Sequence, residues 1–269
     1  IKGLWKFSLG MSLTSIFALI LANFDRVLIT IMLNTEDLGY YTIAYSAAII
    51  LQMGIQPFYK SYYPRYSELF QKQDNNKLEK EYFKSCSMMS SVMLPIIFIA
   101  FLFSDELFII WIGNADSISV EVFRLLVIGI GLSGLMWLPA ALQHAFGWTT
   151  LHALMLFISI IIGTPLAIVL IKNYGILGAT AIWLVHGFLE ISVAIFLMHL
   201  RILRKKLIKW YLRILFVPSI LTFFFTYFSS QFIPTFEWQI LTILWVLLTG
   251  FSVFLILIVY NRSLITVKY

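Results

Sequence analysis

Long apolar runs separated by short polar joints organise this chain. Eight runs stand out, at about 9–33, 38–58, 86–104, 120–142, 150–171, 177–198, 212–231 and 239–260. Most hold close to the ~20 residues that a helix needs to cross a bilayer. Membrane strands would be about 10 residues long and alternate in character. The runs here are uniformly apolar, so they predict an all-α polytopic bundle of about eight transmembrane helices. The joints differ. Residues 34–37 (NTED) form a short acidic turn, and 59–84 form a long amphipathic segment rich in both charges. Residues 105–119 read as a mixed loop with an apolar dip, 172–178 as a glycine-punctuated turn, and 199–213 as strongly basic.

Composition supports the same class. The residues AVILMFWYC make up 61% of the 269, only 12% are charged, and mean hydropathy is +0.91. A soluble domain is nearer half apolar and a quarter charged. Cys86 is the only cysteine, which rules out an internal disulfide. His144, His152, His186 and His199 make no metal-ligand spacing, so no metal or cofactor is expected. The chain begins IKGLWKF without an initiator Met, and is expected to start inside a longer protein.

Charge sets an orientation. With the start placed in the cytoplasm, 16 of the 19 basic residues fall on inner segments; Arg26, Arg124 and Lys172 are the exceptions. Glu36, Asp37, Asp105, Glu106, Asp116, Glu121 and Glu237 fall outside. This positive-inside asymmetry fits eight spans in the cytoplasmic membrane with both ends inside. The net charge of +6 is then an orientation signal and does not indicate nucleic acid. Tyr40, Tyr41, Tyr59, Tyr62, Tyr63 and Tyr66 are expected at the interfaces. Leu203, Leu207 and Trp210 suggest that the basic segment lies along the inner surface.

The chemistry lies in polar groups within the spans. Asp25 and Arg26 adjoin inside LILANFDRVLITIM, about eight residues, or roughly 12 Å, from the outer end. A charge at a helix centre costs about 2.5–3.5 kcal/mol on the insertion scale. Neighbouring helical residues diverge by about 100°, so the pair cannot cancel on one face. At least one charge must face the bundle interior or a wet cavity. A transport site is one reading. A structural pair that pins span 1 to a neighbour, or Arg26 snorkelling outward, is the other. Asn23 adds polarity to the stretch. His186 and Glu190 are four apart and can touch, either as a proton relay or as a structural pair. Gln52 and Gln56 are also four apart. Arg124 can pair with Glu121, and Pro95, Pro139, Pro165 and Pro218 bend spans.

Two stretches carry a family resemblance: FDRVLITIMLNTEDLGYYTIAYSAAIILQ (24–52) and KNYGILGATAIWLV (172–185), with DELFIIWIGNAD between them. In this order they resemble the second half of O-antigen (Wzx-type) and teichoic-acid flippases of the multidrug/oligosaccharidyl-lipid/polysaccharide exporter superfamily. The resemblance implies a MATE-like second bundle over 1–198, a basic cytoplasmic linker over 199–213, and two further helices with a tail over 214–269. It implies a non-enzymatic transporter that flips an undecaprenyl-pyrophosphate-linked oligosaccharide for surface polysaccharide synthesis. Its partners would be that glycolipid, membrane lipids, and a polysaccharide polymerase or glycosyltransferases.

On this resemblance Arg26 would meet the phosphate. Asp25 would orient Arg26's neighbours or couple to a cation. Asn23, Gln52 and Gln56 would offer hydrogen bonds to sugar. Asp25, His186 and Glu190 are the candidates for ion or proton coupling. The glycine-bearing starts of spans 2 and 6 would let helices pack closely. A drug/cation antiporter of the same superfamily and an integral membrane glycan-assembly enzyme are the competing readings. A non-transporting scaffold for such enzymes is a third.

Overall fold

The computed structural model describes the backbone of residues 2–232 and 239–266, with side chains for 5, 7–232 and 240–262. The expected turn at 234–237 with Glu237, and the charges of Lys2, Lys6 and Lys268, lie outside the described residues. All described elements are helical. In order they are α1 (Lys2–Met32), α2 (Thr35–Ala48), α3 (Ile50–Gln71), α4 (Asn75–Leu102), α5 (Ser104–Ile112), α6 (Ser117–Gly134) and α7 (Trp137–Ala145). There follow α8 (Thr150–Tyr174), α9 (Ala181–Leu189), α10 (Ile195–Arg201), α11 (Leu207–Trp210), α12 (Val217–Gln231) and α13 (Gln239–Thr266).

Among the described residues, seven helical stretches are long and apolar enough to cross a membrane. One of them, Thr150–Arg201, has 52 residues. As one straight helix it would span roughly 78 Å, more than twice a ~30 Å hydrocarbon core. It is instead a hairpin. The chain reverses after Tyr174 at Gly175, whose φ of +58° suits glycine. A six-residue 3₁₀ segment, Gly175–Thr180, then leads into α9. Interactions across the hairpin run antiparallel: His152 meets Glu190, Ser159 meets His186, and Gly163 lies against Ile182. The expected crossings at 150–171 and 177–198 are therefore two helices.

Several joints are shorter than expected. The 59–84 segment is two helix extensions meeting at Lys72–Asp74. The α2–α3 stretch stays helical to Gln71, and α4 starts at Asn75, where the Asp74 side chain caps the Lys77 amide at 3.0 Å. The 105–119 loop contains α5, stopped by Gly113 at φ +77°. Within the basic 199–213 segment, residues 202–206 turn the chain between α10 and α11, with Lys206 paired to Glu79 at 2.8 Å. Trp210 is wholly buried, 5.9 Å from the His199 ring.

Helix α1 packs on α8, α2 on α6, α3 on α7 and α4, and α6 on α9. Helices α12 and α13 pack on α4. Ser90 donates to the Ile214 carbonyl at 2.6 Å, and Asn261 donates to Ser91 Oγ at 2.7 Å. The turns 72–74, 146–149 and 202–206 gather at one end, where the Phe70 and Phe146 rings lie 4.3 Å apart. That end carries Arg65, Lys72, Arg201 and Lys205. Arg124, at the other end, pairs with Asp105 and donates to Ser104 Oγ at 2.6 Å, in place of the expected Glu121. Tyr41 and Tyr66 are fully buried and are not interfacial rings.

Two glycines decide how α9 sits. A Cβ on Gly129 of α6 would lie 2.6 Å from the Trp183 backbone, and one on Gly187 of α9 would lie 2.4 Å from the Gly129 carbonyl. These backbones touch, as small residues allow between membrane helices. The expected close packing at the start of span 6 holds at Gly178, where a Cβ would reach 2.3 Å from the α8 backbone. At the start of span 2 it does not, because Gly39 faces open space.

Candidate functional site

Helix α1 turns at Leu33–Asn34, and the Asn34 side chain accepts the Asp37 amide at 2.8 Å. The reversal brings α2 back along α1, so Tyr41 stands opposite Asp25. The Gly129–Gly187 crossing carries α9 close to α6 and presents Trp183 to the same point. Asp25 is fully buried. Its Oδ2 accepts the Tyr41 hydroxyl at 2.5 Å and the Trp183 indole N–H at 2.9 Å. Its Oδ1 accepts the Arg26 amide at 2.7 Å. Charge-assisted bonds of this kind are the strong ones. The carboxylate thus ties α1, α2 and α9 together. Asp25 and Tyr41 come from one of the two resembling stretches and Trp183 from the other.

Arg26 leaves the helix on another face, with its side chain 31% exposed. Its Nη2 donates to the Ala22 carbonyl at 2.6 Å, and its Nε stands 3.9 Å from Asp25 without a hydrogen-bond partner. The guanidinium lies 4.4 Å over the Tyr45 ring, a favourable cation–π distance. Tyr45 in turn lies 5.9 Å from the Trp183 ring. So Asp25 holds the scaffold on which Arg26 rests, and Arg26 keeps donors to spare. A planar guanidinium held this way suits phosphate or carboxylate.

The other expected site residues are not gathered here. Asn23 is exposed and donates to the Leu19 carbonyl at 2.8 Å. Gln52 is half-buried and Gln56 exposed, and no hydrogen bond or ion pair joins either to Arg26. No hydrogen bond or ion pair joins His186 to Glu190, the pair expected to touch. His186 meets Ser159 Oγ at 3.1 Å, and Glu190 meets His152 Nδ1 at 3.1 Å. Both partners lie on α8, which packs along α9.

Sequence reasoning missed Tyr41, Tyr45, Trp183 and His152 as partners. Tyr41, Tyr45 and Trp183 stood inside the resembling stretches. His152 carried no signal, being a lone histidine at the start of a span.

Over 192 residues, 70% of this chain, the sequence is 26% identical to a Shigella flexneri protein named "Putative O-antigen transporter". The chain spans 45% of that relative's length. No solved structure matches it. Residues 1–118, which include Asp25, Arg26, Tyr41 and Tyr45, match the family described as polysaccharide biosynthesis protein.

Proposed function

We propose that the protein containing this chain flips a lipid-linked oligosaccharide across the cytoplasmic membrane for surface polysaccharide synthesis. The supporting observation is Arg26: a partly exposed guanidinium inside an apolar helix, propped on Tyr45 and backed by the buried Asp25. The carried group would be an undecaprenyl-pyrophosphate-linked repeat unit. Its diphosphate needs a cation within the membrane, and arginine forks match phosphate oxygens. In this reading Arg26 meets the phosphate, while Asn23, Gln52 and Gln56 offer polar contacts to sugar. Asp25 acts through Arg26's surroundings. The basic end of the bundle faces the cytoplasm, as positive charge does. A polymerase or glycosyltransferases would supply or consume the glycolipid.

The test uses the full-length gene in its own cell. Arg26→Ala is expected to abolish surface polysaccharide while protein level holds and lipid-linked precursor accumulates. Arg26→Lys is expected to retain part of the display, since a point charge replaces the fork. Full display with Arg26→Ala would end the assignment of Arg26. Loss of precursor synthesis instead of its accumulation would favour a glycan-assembly enzyme.

A further inference from the structure

A second polar centre lies away from Arg26, near the basic end of the bundle. The α9–α10 rod changes to a π-helical turn at Glu190–Ala194. Such turns are rare and concentrate at functional sites. The turn loosens carbonyls, and the Tyr211 hydroxyl donates to one of them, Ile191, at 2.7 Å. Glu190 opens the turn and is fully buried. Its Oε1 meets His152 Nδ1 at 3.1 Å, and its Oε2 has no hydrogen-bond partner.

His152 is 23% exposed, so it reaches outside where Glu190 does not. Its ring centre lies 6.4 Å from that of His144, whose Nδ1 meets the Tyr59 hydroxyl at 2.7 Å. One hydrogen-bonded water can join rings at such a distance. His144 Nε2 and both amide atoms of the buried Gln143 also lack protein partners. Buried polar atoms without partners are costly and rare, and call for an explanation. The titratable groups around Glu190 are His152 on α8, His186 on α9, His144 on α7 behind His152, His199 on α10, and Tyr211 after α11.

We infer that Glu190 and His152 form one exchangeable proton site inside the bundle, reached through His152 and the His144–Tyr59 pair. A proton arriving at His152 Nε2 makes the ring cationic. Its Nδ1–H then donates to Glu190 Oε1. Transfer along that bond breaks N–H, forms O–H, and leaves a neutral imidazole beside a neutral carboxylic acid. The loaded pair is thus an ion pair or its neutral tautomer, and loss of the proton to the surroundings leaves a carboxylate beside a neutral imidazole. The ion pair pulls α8 onto the π-helical turn, and loss of the proton relaxes that pull. This deepens the transport reading by naming where a coupling proton would sit. Asp25, with all three donors in place, is the pin and not that site.

The test is an infrared pH titration of the purified full-length protein in detergent, over about pH 5–9, the range where histidine and its neighbours exchange protons. The expected result is a protonated-carboxyl band that titrates in wild type, is lost in Glu190→Gln, and persists in Asp25→Asn. His152→Gln keeps a hydrogen-bonding partner for Glu190 and should move the band's midpoint by about one pH unit or more. It serves as the main variant if Glu190→Gln does not fold. A titration unchanged by either substitution overturns the site. The measurement uses no glycan and no transport, so its failure and that of the flippase reading are separable.

Discussion

Trp183 donates its indole N–H to the carboxylate of Asp25 at 2.9 Å, across 158 residues of chain. The bond joins α9 to α1 within the apolar part of the bundle, and Tyr41 joins α2 to the same oxygen. Asp25→Ala leaves both donors buried without an acceptor. Each such donor costs about 1–3 kcal/mol. The variant should unfold at clearly lower temperature in detergent, whereas Asp25→Asn, which keeps one acceptor oxygen, should lose less. Trp183→Phe combined with Asp25→Asn should lose less than the sum of the two single changes, because they share one bond. Wild-type melting of Asp25→Ala would remove the pin.

The Gly129–Gly187 crossing is as sharp a test of the fold. Either Gly→Ala change puts a methyl group within 2.6 Å of the opposite backbone. Overpacking of this kind costs about 1–3 kcal/mol. Gly39→Ala meets nothing within 4 Å and serves as the control. Thermal melts should separate the first two variants from the third.

The hairpin between α8 and α9 predicts opposite labelling at its ends. With the buried Cys86 replaced by Ala, Tyr174→Cys should react with an impermeant maleimide from one side of the membrane. Gly147→Cys should react only from the other. Reaction of both from the same side would contradict the pair of crossings.

Outside the spans, Glu106 at the start of α5 is half-buried, and burial raises its pKa above the usual glutamate value. An acid raised on folding contributes its stability below the unfolded value, and loses it as pH rises through the folded one. Glu106→Gln should therefore match wild type at acid pH and melt slightly higher at neutral pH. Equal melting temperatures at neutral pH would show that the burial carries no cost.

Much of this was legible in the chain. Apolar runs of membrane length determined an all-helical, multi-pass protein, because backbone groups in lipid must be satisfied within helices. Charge bias separated the two ends of the bundle, and Gly175 marked the hairpin. The cost of charge in lipid was enough to say that Asp25 and Arg26 could not both face it. What the sequence left open was partnership. Spacing along one helix shows which side chains can touch on that helix, and it brought His186 and Glu190 together on paper. Tertiary packing gave each a partner on α8, Ser159 and His152. It also turned Asp25 inward to Tyr41 and Trp183 and left Arg26 partly exposed. The physical reason is the crossing of helices: backbone contact at Gly129 and Gly187 decides which faces meet, and no period within a single helix encodes that meeting.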